Sequence, residues 1–223
     1  RSLFNFRNFK VGIHICEESW TEVETFGTSK KRAYKGIPEF DDPTPDLLIN
    51  LSASPWSQGK TESRRQLLQN LNHKFHCPIL YTNAVVLHDD ILLDGRSLFC
   101  KDQKVSSAPS FESGAFLVEQ FETSSSLNSH QDLRQALVFA IRDFFSQARV
   151  QKAIIGISGG LDSALVASLA CEAIGAENVY GYCLSSKHTS ELTKQLSQEL
   201  SHRLKFPLKF IDLSNLISEF EKV

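Results

Sequence analysis

Between Ala153 and Ala167 the chain reads AIIGISGGLDSALVA, and few folds admit that passage. Ala153, Ile154, Ile155 and Ile157 around Gly156 read as a buried parallel strand, which Ser158-Gly159-Gly160 cannot continue. The chain must turn there. Leu161, Ala164, Leu165, Ala167, Ser168, Leu169 and Ala170 then give a small-residue helix that opens straight from the turn. A glycine-rich turn between a strand end and a helix start is an anion site. Its glycines let backbone N–H groups approach a phosphate, Ser158 and Ser163 add hydroxyl donors, and the helix start carries roughly half a positive charge.

A Walker A loop reads GxxxxGK[ST], whereas this turn ends in Leu161-Asp162-Ser163 with no lysine. Transfer of a γ-phosphoryl group is therefore disfavoured. An acidic side chain beside polyphosphate makes sense through a divalent cation, which makes Asp162 the natural magnesium ligand. The run SGGLDS, with Gly156 and Ile157 before it, resembles the pyrophosphatase loop of enzymes that adenylate a carbonyl oxygen and release pyrophosphate. The resemblance implies that Gly156, Ile157, Ser158, Gly159, Gly160, Leu161, Asp162 and Ser163 bind ATP. The plain alternative is a Ser/Gly helix cap with Asp in its first turn; strand, glycines and both serines together favour the loop.

The 223 residues leave room for one large or two small domains, and a hydrophobic share of 41% suffices for real cores. A formal charge of −2 gives no electrostatic case for nucleic acid, and no apolar run approaches the roughly 20 residues of a membrane helix. Five cysteines (Cys16, Cys77, Cys100, Cys171, Cys183) without CxxC spacing fit reduced thiols in a cytoplasmic protein. The chain opens on Arg1 and contains no Met, so a segment of a longer protein is expected.

The first half holds a second reactive centre. Lys10 to Ile15 alternates as a strand and runs into Cys16-Glu17-Glu18-Ser19-Trp20. A thiol at a strand end faces a cleft, where substrate can reach it; a mid-strand cysteine is usually a small buried hydrophobe. The CEESW run resembles the nucleophile motif of nitrilase-type amidases. Asn50-Leu51-Ser52-Ala53-Ser54-Pro55-Trp56 with Lys60, then Tyr81 to Val85 and Asp94 to Ser97, resemble the following landmarks of the amidase domain in glutamine-dependent NAD synthetases.

That resemblance makes Cys16 the nucleophile attacking the side-chain amide of glutamine. It places Glu17, Trp20, Ser54 and Lys60 at the glutamine, with Lys60 facing the free α-carboxylate. An ordinary thiol needs a base at neutral pH. In the family that base is a glutamate, assisted by an oxyanion-stabilising lysine, and both lie well upstream of the cysteine. Lys10 opens the same strand and lacks the family's lysine context. His14 is a local rival base, sharing a strand face with Cys16.

Other features read as scaffold. His73, His76 and Cys77 share a helix end but lack a second ligand pair, so helix end followed by the strand Pro78 to Thr82 is the expectation. Arg64 and Arg65 are expected to open a helix through Phe75 as surface or salt-bridge residues. Gly114 to Phe121 reads as a last strand of the first domain. The polar, turn-rich run at residues 123–131 reads as a linker. Leu133, Leu137, Ala140, Ile141, Phe144 and Phe145 recur at helical spacing. Val179 to Leu184 and Leu208 to Leu213 read as strands around a helix from about Thr189 to Leu204, giving βαβαβ. Ser185 to Ser190 follows the second strand and borders the nucleotide.

The expected fold class is α/β: part of a nitrilase-like α-β-β-α sandwich at residues 1–122, then part of a doubly wound parallel-sheet, adenine-nucleotide-hydrolase-like domain at residues 132–223. An amidase ahead of an SGGxDS loop resembles the glutamine-dependent NAD synthetases. The resemblance implies substrates glutamine, deamido-NAD and ATP, with Mg2+, in a homo-oligomer acting on neither nucleic acid nor membrane. The acceptor site would lie past Val223. Two alternatives stand beside it: another ATP-dependent amide or tRNA-modifying ligase, and a truncated, non-catalytic binding chain.

Overall fold

The computed structural model describes residues 2–19, 44–123, 129–186 and 189–220. Two compact units divide the chain, Arg1–Leu133 and Arg134–Val223.

In the first unit a strand hairpin, β1 (Ser2–Phe6) and β2 (Phe9–Ile15), leads into a 3-10 turn at Cys16–Ser19. β3 (Leu47–Ser52), helix α1 (Lys60–Phe75) and β4 (Ile79–Asn83) follow. Then come β5 (Val85–His88), β6 (Ile91–Asp94), β7 (Leu98–Lys101), β8 (Lys104–Ser107), a 3-10 turn at Val118–Gln120 and β9 (Glu122–Thr123). The main sheet runs β1-β2-β3-β4-β7-β8-β9, and β5 and β6 pair separately. β2, β3 and β4 are mutually parallel, with Ile15 opposite Leu51 and Ser52 opposite Asn83. Their carboxyl ends therefore bring Cys16, Ser52 and Asn83 to one rim of the sheet.

Helix α1 covers that sheet because Leu67, Leu68, Leu71 and Phe75 recur on one face and are buried against Leu48, Ile79, Tyr81 and Leu98. Cys77 and Cys100 lie in the same core, where burial pushes both thiols up to about 11. These two are packing residues. The expected strand at Gly114 to Phe121 does not form. Leu117 is 64% exposed, and only Glu122–Thr123 reaches the edge of β8, two residues wide. An apolar run alone does not make a strand where no second face is covered.

Helix α2 (Ser129–Ala148) carries the boundary between the units. The second unit continues with β10 (Ala153–Gly156), α3 (Leu161–Ile174), a 3-10 turn at Ala176–Asn178, β11 (Val179–Ser185), α4 (Glu191–Leu204), β12 (Leu208–Asp212) and α5 (Ser214–Phe220). The three strands are parallel in the order β10-β11-β12, as the βαβαβ reading requires. Ile157, Ala167, Ala170, Val179 and Phe206 form the core; the alanines of α3 let the helix backbone lie close on the sheet. β10 is less buried than its composition suggests, with Ile154 75% exposed. Among the described residues β10 pairs only with β11, so its outer edge is unpaired.

Candidate functional site

At the end of β2 the chain reverses direction on a residue other than glycine. Cys16 has φ 46°, a left-handed conformation that costs a residue with a Cβ roughly 1–3 kcal/mol and needs support. That support comes from Asn50 on the neighbouring strand β3. The Asn50 Nδ2 group donates to the Cys16 carbonyl at 3.1 Å and to Ser19 Oγ at 2.7 Å. On the other side of Ser19, the hydroxyl lies 3.0 Å from His14 Nδ1. The Ile15 N–H donates to Glu18 Oε2 at 2.8 Å, closing the turn. The Cys16 thiol is half-buried at a strand end, as expected, whereas Cys77, Cys100 and Cys183 are buried.

His14 is fully buried, joined to Ser19 and edge-on to the Phe75 ring at 6.1 Å. Its imidazole thus packs within the turn that carries Cys16. Glu17 is exposed beside Cys16. Trp20 lies outside the described residues.

Beyond β3 the loop from Ser52 to Lys60 is held from several directions. Ser54 is buried; its N–H donates to Asn83 Oδ1 at 2.7 Å, and its carbonyl accepts from Arg64 Nη2 at 2.9 Å and from Asn83 Nδ2 at 3.2 Å. Trp56 Nε1 donates to Asp132 Oδ2 at 3.1 Å, and Asp132 pairs with Arg96 at 2.6 Å. Arg96 also donates to the hydroxyls of Thr61 and Ser110. Lys60 is half-buried and is the first residue of α1 rather than a loop residue. Its N–H donates to the Ser57 carbonyl at 3.1 Å, and Gly59 supplies the left-handed turn with φ 83°.

The expectation that Arg64 is a surface residue is overturned. Its side chain is 1% exposed and its Nη1 bonds both carboxylate oxygens of Asp94, at 2.8 and 3.0 Å. The salt-bridge part of the expectation holds for both arginines: Arg65, at the helix surface, pairs with Glu62 at 3.3 Å. Burial pushes the Tyr81 phenol up, while the Arg64 guanidinium, 5.7 Å from its ring centroid, and the Ser54 and Ser52 hydroxyls act the other way. His73 and His76 meet edge to face, with ring centroids 6.1 Å apart, and among the described residues no group of three His, Cys, Asp or Glu could hold a metal.

The loop in the second unit turns as its composition requires. The Ile157 N–H still donates to the Tyr182 carbonyl at 2.8 Å, and beyond it Gly159 adopts φ 72°. A Cβ at Gly159 would meet the backbone of Thr193 at 2.7 Å, so glycine is required by both conformation and space. Gly160 caps α3 without a side-chain bond, leaving first-turn N–H groups for another acceptor. The two serines, expected as donors to a ligand, bond inside the loop: Ser158 Oγ lies 3.1 Å from Ser163 Oγ, accepts from the Gly160 N–H at 3.3 Å, and Ser163 Oγ donates to the Gly160 carbonyl at 3.1 Å. They brace the turn. Leu161 and Asp162 are exposed at the start of α3. Ser185 ends β11 and Ser186 follows it, with the Ser186 N–H on Thr189 Oγ1 at 2.9 Å; Lys187 and His188 lie outside the described residues.

Asn50, Asn83, Arg64, Asp94, Arg96 and Asp132 escaped sequence reasoning as site residues. Apart from Ser52, two positions from Asn50, their partners lie 9 to 76 positions away, and the one local signal is Asn near the carboxyl ends of two apolar strands.

Residues 133–223 match the family model described as NAD synthase. A glutamine-dependent NAD(+) synthetase of Synechocystis sp. is 34% identical over 84% of this chain and 36% of its own length. The enzyme of the same name from Acinetobacter baylyi is 30% identical over 86% of this chain and 35% of its own length. The chain thus spans little more than a third of the curated relatives it matches. The structure of glutamine-dependent NAD+ synthetase from Acinetobacter baumannii in complex with ADP superposes on 99% of this chain and 42% of its own, with TM-score 0.82 and 25% identity. The fold is shared too with the Cytophaga hutchinsonii enzyme, at TM-score 0.80 and 16% identity over 98% of this chain and 41% of that one. Among the described residues no helix is long and apolar enough to cross a membrane.

Proposed function

We infer that this chain, which belongs to the glutamine-dependent NAD(+) synthetase family, carries the reactive thiol of a glutamine amidase within residues 1–122 and the adenylating loop of an NAD synthase within residues 132–223. The reading rests on one pairing: a half-buried cysteine on a braced turn at a parallel strand end, followed in the same chain by a lysine-free Gly-Gly turn opening a helix. Neither alone selects the reaction. Together they fit an enzyme that makes ammonia in one place and consumes it in another.

In the amidase, the Cys16 sulfur attacks the side-chain amide carbon of glutamine. The carbon–nitrogen bond breaks, ammonia leaves, and water hydrolyses the resulting thioester to glutamate and free thiol. A thiolate must form first, so a base is required. The family supplies it as a glutamate upstream of the cysteine. Glu17 and Trp20 contact the glutamine, and Ser54 and Lys60 hold its amino-acid end, with the Lys60 ammonium opposite the α-carboxylate.

In the second unit, the Gly159–Gly160 turn and the first-turn N–H groups of α3 hold the ATP phosphates, where donors and helix dipole both favour negative charge. The nicotinate carboxylate of deamido-NAD attacks the α-phosphorus and pyrophosphate leaves. Ammonia then adds at the acyl carbon and AMP departs, which overcomes the poor reactivity of a carboxylate. Asp162 fits a magnesium site: one exposed carboxylate in the first turn of α3 suits a cation that takes most of its ligands from phosphate and water. Mg2+, when bound, offsets charge on the phosphates. The five free cysteines suit a cytoplasmic enzyme, and the family resemblance a homo-oligomer.

The test is a product balance on the full-length enzyme with glutamine, deamido-NAD and Mg-ATP. Equimolar NAD, AMP, pyrophosphate and glutamate support the reading. Pyrophosphate release that needs a different acceptor would make the chain another ATP-dependent amide ligase.

A further inference from the structure

Two opposite charges lie in the interior of the first unit with almost no contact with water: Arg64 is 1% exposed and Asp94 0%. Removing a charge from water costs several kcal/mol even after relaxation, and a buried pair is weak grounds for stability because apolar residues of the same volume often serve as well. What the pair touches gives it another purpose. The Arg64 guanidinium spends Nη1 on both Asp94 oxygens and aims Nη2 at the carbonyls of Ser54, at 2.9 Å, and Pro55, at 3.4 Å. Asn83 bonds Asp94 Oδ1 and the Ser54 carbonyl, each at 3.2 Å, and accepts from the Ser54 N–H at 2.7 Å. Its own N–H is held by Ser97 Oγ at 3.2 Å. Both backbone polar groups of Ser54 are thus taken by side chains that arrive from α1 and β4.

The same guanidinium stands four residues after Lys60, one helical turn along α1 and on the same face. Ser54 and Lys60 therefore share one fixed point: Ser54 through its carbonyl, Lys60 through a single rigid turn of helix. We propose that Arg64, Asp94 and Asn83 are positioning residues that set the spacing between Ser54 and Lys60, and so select an amide substrate bearing an α-amino acid end. Resting on the amidase reading above, this assigns the specificity to residues that never touch glutamine. Arg64 suits the task because its planar fork bonds a carboxylate and two carbonyls at once, which a lysine cannot do.

The experiment uses the full-length enzyme and the variants Arg64→Lys, Asn83→Ala and Cys16→Ala. Hydrolysis is followed with glutamine and with butyramide, a primary amide lacking the amino-acid end. Arg64→Lys and Asn83→Ala are expected to raise the KM for glutamine tenfold or more while kcat stays within threefold, to leave butyramide turnover per active site unchanged, and to leave ammonia-driven synthesis unchanged. KM is independent of the fraction of folded enzyme, and Asn83→Ala keeps the ion pair intact should Arg64→Lys fold poorly. A glutamine KM within twofold of the parent in both variants, or equal losses on glutamine and butyramide, overturns the positioning role. Retained glutamine hydrolysis in Cys16→Ala would instead overturn the amidase reading.

Discussion

Asn50 on β3 donates from Nδ2 to the carbonyl oxygen of Cys16, 3.1 Å away across the parallel pair β2 and β3, and so holds the turn that presents the thiol. The same group reaches Ser19, so one buried amide braces both ends of a 3-10 turn whose first residue has positive φ.

Replacing Asn50 by Leu keeps the branching and heavy-atom count of the side chain and removes both Nδ2 bonds, together with the one Oδ1 accepts from Ser52. A loss of about 1–3 kcal/mol in unfolding free energy is expected, since Ser19 and a carbonyl lose a buried partner. Glutamine-dependent synthesis should fall much further than ammonia-driven synthesis. Urea unfolding and the two rates check it.

Lys60→Ala should raise the KM for glutamine more than it lowers kcat, by roughly 1–3 kcal/mol for a lost charge-assisted contact. Ammonia-driven synthesis should not change. An unchanged KM would remove Lys60 from the glutamine site.

Cys77 and Cys100 have thiols raised from the ordinary 9.0 to about 11, with burial the largest cause in both. The unfolded chain sheds these protons first on alkalisation. The folded state therefore binds more protons between pH 9 and 11, and its stability falls as pH rises through that window, while below pH 9 the contribution is fully present. Melting temperature should drop across that range, less steeply in Cys100→Ala. At pH 8 iodoacetamide should label Cys16 well before either, read by peptide mass.

Gly159→Ala puts a Cβ against the Thr193 backbone at a residue with φ 72°. The loop must shift, at a cost of about 1–3 kcal/mol. Pyrophosphate release should fall and the KM for ATP rise, while glutamine hydrolysis persists.

The reactive ends of strands were legible because the signal is local. Ile15 gives way to Cys16, and Ile157 to Ser158-Gly159-Gly160, within a few residues, and both turns stand where the pattern put them. The supports of those turns were not legible. Arg64 looks like a surface residue of a polar helix start until Asp94, thirty positions on, is brought beneath it. The start of α1 at Lys60 was missed because Gly59 supplies no capping side chain. Gly114 to Phe121 reads as a strand by composition, yet edge pairing beyond β8 goes to Glu122–Thr123, and no periodicity records which segment reaches an edge first.

If one chain carries two separate centres, Cys16→Ala in the full-length enzyme must separate the two nitrogen sources. NAD formation from deamido-NAD and Mg-ATP is measured with glutamine and, in parallel, with ammonium chloride as nitrogen source. No detectable synthesis from glutamine and a parental rate from ammonia are expected, since Cys16 and the Gly159–Gly160 loop belong to different units. Equal loss of both rates in a folded variant, or persistence of the glutamine rate, would contradict that separation.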